Sequence, residues 1–159
     1  MEHARKAPPP FYCSVDIRDS GYKIVPVDSN LFPAGFNNIC PDDLRVAPAI
    51  FRSQVAATAS RLGRDLPQKI LILPESHTSN LYYLENLYYL LLILREAGFE
   101  AEVGWYGPLP EGHTQGPLEL SSITQKKITA YPIEIGTDGT LVAGQFKPDW
   151  ILLNNDFSG

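Results

Sequence analysis

Apolar and polar residues alternate in two short runs near the start of the chain, Tyr12–Ile17 and Tyr22–Val27. A period of two is the signature of a strand, and Asp19-Ser20-Gly21 between the runs supplies turn chemistry, so the pattern predicts a β-hairpin. After Asp28 the alternation stops. The stretch through Pro33-Ala34-Gly35 to Ile39 reads as an ordered loop. From Pro48 the spacing changes to threes and fours, with Phe51, Val55, Ala59 and Leu62 on one face. That spacing predicts a helix over Pro48–Leu62, with proline tolerated in its first turn and Gly63 as its stop.

The next run, Lys69–Leu73, is short and β-branched and reads as a buried strand. A polar segment, Pro74–Asn80, leads into a helix from about Asn80 to Ala97, stopped by Gly98. This helix is apolar almost all round, its polar positions confined to Glu85, Asn86, Arg95 and Glu96, so it should pack on a sheet and on a second surface. Glu100–Trp105 is a further strand, and strand–helix–strand is the crossover that builds a parallel sheet. Gly107–Gly116 reads as a loop. Lys127–Ile135 and Thr140–Gln145 flank Thr137-Asp138-Gly139 as a second hairpin. Trp150–Leu153 is a last strand, running into Asn154-Asn155-Asp156.

The pattern therefore predicts an α/β domain of Rossmann-like, three-layer type, with a mostly parallel sheet plus a β-hairpin. Its 159 residues suit one domain over 11–159, preceded by a loose, proline-tailed arm over 1–10. A parallel strand normally feeds a covering helix. None follows Trp150–Leu153, so the domain is expected to be truncated at its carboxyl end.

Charge changes this picture in one respect. The chain carries 13 Lys and Arg against 18 Asp and Glu, a net charge of −5, which argues against a general nucleic-acid or anionic-membrane binder. The longest greasy stretch, Leu87–Leu94, falls far short of the roughly 20 residues that span a bilayer. Cys13 and Cys40 form neither a zinc pattern nor a disulfide framework and read as free thiols of a cytoplasmic protein.

Ligands of open parallel sheets bind outside the carboxyl ends of the strands, where two polar clusters fall. In the first, Glu75-Ser76-His77-Thr78-Ser79-Asn80, free N–H groups at a helix start would favour a carboxylate or phosphate. The alternative there is that Thr78 or Ser79 caps the helix and His77 is a bystander. No glycine-rich fingerprint supports a dinucleotide or P-loop site. In the second cluster, Asn154, Asn155 and Asp156 could hold an amino group or a metal-linked phosphate, or serve as turn formers. A third group, within Val15–Ile39, sets Asp16, Arg18, Lys23, Asp28, Asn30, Asn37 and Asn38 among aromatic and aliphatic neighbours. Arg grips carboxylates and Asp or Asn accepts from ammonium, types that suit a free α-amino acid. A solvated hairpin is the alternative. Adjacent Ser76 and His77 make no triad, and His3, His77 and His113 lack metal-ligand spacing. Tyr82-Tyr83 and Tyr88-Tyr89 read as core, and Asp42 and Asp43 as charges matched to a helix dipole.

The run SVDIRDSGYKIVPVDSNLFPAGFNNI resembles the opening segment of the proteobacterial-type glutamate–cysteine ligases, also called γ-glutamylcysteine synthetases. PESHTSN with its Tyr/Leu-rich helix, and the terminal ILLNNDFSG, resemble the same family, so the likeness covers nearly all of Phe11–Gly159. The resemblance implies an ATP-dependent ligase of glutathione biosynthesis, with this chain as the domain that precedes an ATP-grasp module. It implies ATP and Mg2+ bound mainly outside this chain, and glutamate, cysteine and ATP as small-molecule partners. The rest of the ligase chain is a further partner, and a homo-oligomer is an open arrangement. No nucleic acid or membrane is implied. The resemblance points to Arg18, Asn30, Asn37, Asn38, Glu75, Ser76, His77, Thr78, Asn80, Asn154, Asn155 and Asp156 as substrate-binding residues. Residue chemistry suggests carboxylate binding for Arg18, ammonium or amide contacts for the asparagines, and anion holding for Ser76–Asn80. No general base, nucleophile or metal ligand is expected, and the chain alone should not turn over. Two rivals remain: a stand-alone module binding an anionic metabolite or amino acid, and an interaction domain pairing through the helix Asn80–Ala97.

Overall fold

The first two alternating runs pair as expected in the computed structural model, which describes residues 10–75, 80–110, 113 and 116–155. Strand β1 (Ser14–Asp19) runs antiparallel to β2 (Ile24–Asn30), with a bulge after Asp16. The turn is closed by the Asp19 carboxylate, which accepts from Gly21 N–H at 2.7 Å, and by Gly21 at φ 86°, a value that favours glycine. This hairpin forms its own two-stranded sheet and nearly every residue in it is exposed. Its base is held by an aromatic cluster in which Tyr12 and Phe11 pack against Phe36 and Phe51 with ring centroids 5.6–6.3 Å apart. A short 3-10 helix, Phe36–Asn38, ends the loop that follows.

Helix α1 spans Pro41–Arg61 and so begins seven residues before the expected start at Pro48. Pro41 occupies the first helical turn, where its missing N–H has no partner to lose, and Asp42 and Asp43 match the positive end of the dipole from inside that turn. Pro48 is buried within the helix and forfeits one backbone bond. Leu62, expected on the buried face, is the carboxyl cap and is 58% exposed.

Strand β3 (Lys69–Pro74), helix α2 (Leu81–Glu96) and strand β4 (Glu100–Trp105) form the expected crossover, with β3 and β4 parallel. Strand β5 (Leu118–Ser121) was not anticipated. It is a four-residue edge strand, Leu–Glu–Leu–Ser, too short to show a period. β6 (Lys127–Ile135) pairs antiparallel with β5, then parallel with β4, and its far end turns through Asp138 and Gly139 into β7 (Leu141–Ala143). β8 (Trp150–Asn154) lies parallel to β3. The sheet order is β5-β6-β4-β3-β8, with β7 attached to β6.

Residues paired in register share a face. On one face Ile70, Ile72, Ala101, Val103, Trp105, Ile128, Ala130 and Leu118 meet Leu84, Leu87, Leu90, Leu91, Ile93 and Leu94 of α2 and Val55 of α1 in a single core. Both helices therefore lie on the same side. The third layer expected from the sequence is not formed by the described residues. On the opposite face Ile133 packs over Gly104 and Leu71, while Ile151 and Leu153 stay 43% and 38% exposed. Nine of the sixteen residues of α2 are buried. No helix among the described residues is long and apolar enough to cross a membrane. The expected arm lies outside the described residues up to residue 9.

Candidate functional site

The parallel pairing of β3 with β8 sets Pro74 opposite Asn154, so the two polar loops emerge at one carboxyl edge of the sheet. The loop before α1 lies over that edge. It is held there by two asparagines that are 0% and 1% exposed, Asn86 on α2 and Asn154 on β8. Phe36 N–H donates to Asn86 Oδ1 at 3.0 Å, Asn86 Nδ2 donates to Asn154 Oδ1 at 3.2 Å, and Asn154 Nδ2 donates to Pro33 O at 3.0 Å. Tyr83 Oη donates to Asn154 O at 2.8 Å and accepts from Glu75 N–H at 2.9 Å, fixing the backbone where β3 ends. Burial raises the Tyr83 phenol above its ordinary value, and the nearby Glu75 charge adds to the effect, so the hydroxyl stays protonated. Tyr12, whose hydroxyl donates to Leu153 O, is raised by burial in the same way.

In front of this network lies a cavity of about 340 Å³ lined by Ala34, Asn37, Asn38, Glu75, Asn80, Tyr82 and Tyr83. That volume is within the range of small-molecule sites. Glu75 is its charged lining group, and no Lys or Arg is among the described residues that line it. Asn37 Nδ2 donates to Asn38 Oδ1 at 3.2 Å, while Asn37 Oδ1 is shielded from solvent and has no hydrogen-bond partner among the described residues.

Asn80 is the cap of α2, in the place expected for Thr78 or Ser79. Its side-chain oxygen accepts from Tyr82 N–H at 3.0 Å and Tyr83 N–H at 3.3 Å, and its carbonyl accepts from Leu84 N–H at 3.1 Å. The N–H groups of Tyr82, Tyr83 and Leu84 are thus engaged by the cap itself.

The structure brings Asn37, Asn38, Glu75 and Asn80 together. Asn154 and Asn155 lie behind the cavity with their amides committed, Asn155 Nδ2 to Pro74 O at 3.2 Å and to the Tyr106 hydroxyl. Asn30 closes a local turn by accepting from Phe32 N–H at 2.8 Å, and Arg18 is exposed on β1; neither lines the cavity. Ser76, His77, Thr78 and Asp156 lie outside the described residues. Sequence reasoning passed over Asn86, Tyr12 and Tyr106; Tyr83 is core as expected, whereas Tyr82, expected there too, is 67% exposed. A polar residue at a fully apolar helix position was the available signal for Asn86. Tyr88 and Tyr89 are half-buried and flank Lys126, whose Nζ lies 4.8 and 4.1 Å from their ring centroids.

Among the described residues no three His, Cys, Asp or Glu side chains gather where they could hold a metal ion. Cys13 and Cys40 are unpaired and exposed.

Compared with known proteins, the chain matches the family model described as "Glutamate-cysteine ligase" over residues 1–159. A crystal structure described as a "Putative gamma-glutamylcysteine synthetase", from Methylobacillus flagellatus KT, is 36% identical and superposes with a TM-score of 0.81 over 99% of this chain. The chain spans 35% of that protein's length. No curated protein matches.

Proposed function

The chain belongs to the glutamate–cysteine ligase family, and from that premise we propose that it forms the amino-acid-binding side of an ATP-dependent ligase. The ligase joins the γ-carboxylate of L-glutamate to the amine of L-cysteine in glutathione biosynthesis. One observation carries the reading. Asn37, Asn38, Glu75 and Asn80, drawn from two segments that resemble the family, line one cavity at the carboxyl edge of a parallel sheet. A cavity with one carboxylate and several amides suits a small zwitterion.

Forming the amide requires an activated carboxylate. Phosphoryl transfer to the γ-carboxylate gives an acyl phosphate, the cysteine amine attacks its carbonyl carbon, and phosphate leaves. ATP and Mg2+ supply that activation when bound. The chain has no glycine-rich phosphate cradle, the N–H groups of Tyr82, Tyr83 and Leu84 at the start of α2 are engaged, and among the described residues no three His, Cys, Asp or Glu side chains gather. We therefore assign no step of phosphoryl transfer to the described residues. In this reading the sheet is Rossmann-like and stands beside an ATP-grasp-like module that holds the nucleotide. The ligase acts in the cytoplasm on small molecules, without nucleic acid or membrane.

Disrupting the coding region in the source cell tests the proposal. γ-Glutamylcysteine and glutathione should fall together, and supplied γ-glutamylcysteine should restore glutathione where glutamate plus cysteine does not. An unchanged thiol pool would overturn the reading.

A further inference from the structure

We infer that the unpaired edge of β8 receives an extended segment of the same ligase polypeptide, from outside residues 1–159, and that this segment adds a strand to the sheet. The inference rests on the reading of the chain as part of a longer ligase, and it names the surface that the rest of that ligase covers.

The edge itself is the first observation. β8 pairs with β3 alone among the described residues, so the backbone groups along its other side have no strand partner. Open sheet edges recruit foreign chains unless charges, proline, a bulge or a covering element blunt them. Trp150-Ile151-Leu152-Leu153 carries no charge and no proline. The neighbouring carboxylate, Asp149, is committed to the start of β3, accepting from Gln68 N–H at 2.8 Å and Lys69 N–H at 2.9 Å. At the opposite end of the sheet, β5 carries the charged Glu119.

The second observation is the groove beside that edge. A cavity of about 410 Å³ is lined by Trp150–Leu153 of β8 and by Val55, Thr58 and Leu62 of α1, with Phe32 among the other walls. Consecutive residues of a strand point to opposite faces, so a groove that touches all four runs along the strand edge rather than over one face. Val55, Thr58 and Leu62 lie three and four apart and form one stripe of the helix. Cover fades along that stripe, from Val55 at 1% exposed to Leu62 at 58%. A row of side chains that begins in the core therefore ends on an open wall, and no charged residue lines the groove among the described residues.

The walls state what the occupant must look like. On the core side an added strand would face Trp150, Leu152 and Leu62, and on the other side Ile151 and Leu153, 43% and 38% exposed. Both of its faces should be apolar, the continuous pattern of a strand buried within a parallel sheet. A charged side chain there would be desolvated without a partner. The source of the segment follows from length. The related synthetase superposes on 99% of this chain, yet the chain spans 35% of that protein, so most of that protein lies outside the matched part. A segment on the same polypeptide reaches the edge as an intramolecular partner, at an effective concentration that a separate chain does not match.

Amide hydrogen exchange tests this on two proteins, the 159-residue chain and the ligase polypeptide that carries the same sequence in the source cell. Trp150–Asn154 should exchange more slowly in the ligase by about tenfold or more. Leu62→Glu replaces an exposed side chain, so the 159-residue chain should melt as before, while the ligase should lose that protection. Ile135→Glu, at a 71% exposed position of β6 that does not line the groove, should leave the protection intact. Equal exchange in the two proteins would overturn the inference, as would protection that survives Leu62→Glu; both leave the ligase assignment standing. Slow exchange in the 159-residue chain that deepens with its concentration would overturn it in favour of a second copy on the edge. A source cell that makes the sequence only as a 159-residue product would overturn this inference together with the reading of the chain as part of a longer ligase. The comparison of the two unsubstituted proteins does not depend on how any variant folds.

Discussion

Asn86 interrupts a helix face made of Leu84, Leu87, Leu90 and Leu91, and its side chain is completely buried. A lone amide in such a place is destabilising unless both of its ends are paired, and here they are, to Phe36 N–H and to Asn154. Asn86→Ala should therefore cost about 2–3 kcal/mol, because it leaves Phe36 N–H and Asn154 each short of a partner. Urea denaturation measures that loss, and a change under about 0.5 kcal/mol would mean that the network rearranges at little cost. The same variant frees the loop that carries Asn37 and Asn38, so L-glutamate affinity should fall with it. Glu75, Asn37, Asn38 and Asn80 could be nominated by residue chemistry. Asn154 and Asn155 could not be told apart from them, since an amide in a ligand site and an amide in a buried network are the same residue until their partners are known.

Helix α2 is fixed to the sheet by a second polar device. Glu85, 5% exposed, accepts from Thr124 Oγ1 at 2.8 and 2.7 Å and pairs with Lys126 Nζ at 3.2 Å. Burial alone would push the Glu85 carboxyl up, but hydrogen bonds from Ser122, Thr124 and Lys126 outweigh it and hold the group at about 2, below its ordinary 4.5. Lys126 is held above its usual value, chiefly by its bond to the Tyr89 hydroxyl at 2.7 Å. Because the folded-state value of Glu85 is the lower one, its contribution to stability is complete above about pH 4.5 and is lost as pH falls toward 2. Lys126→Met should cost about 3 kcal/mol at neutral pH by stranding the carboxylate, and the acid-induced loss should then begin at higher pH. Thermal melts from pH 2 to 7 on both proteins check this, and parallel pH profiles would refute it. Periodicity located α2 to within a residue, because an apolar helix needs no knowledge of its neighbours. It misplaced the start of α1, where Pro41 and Pro48 were both admissible first-turn residues and only packing of the later one decided. It missed β5 because four residues are too few to show a period.

The molecule divides into a body and a projection. Among the described residues, eight strands and two α-helices are present, and of the strands only β1 and β2 stand outside the six-stranded sheet. The hairpin exposes Val15, Ile17, Ile24 and Val27 by 46–67%, so its backbone bonds have little apolar cover. Amide hydrogen exchange should accordingly be fast across Ser14–Asn30 and slow in β3, α2 and β4, by two orders of magnitude or more in rate. Equal protection in the two regions would contradict this division. What the sequence determined by itself is local. Alternation, three-and-four spacing and turn residues settle which segments are strand or helix, since those patterns act over a few neighbours. The tertiary structure alone decided which segments meet: that both helices share one face, that Pro74 stands beside Asn154, and that Asn37 and Glu75 line one cavity. The physical reason is that burial and hydrogen-bond satisfaction are summed over the whole chain. Whether a polar residue becomes a ligand group or a structural one depends on the partners that long-range packing leaves it.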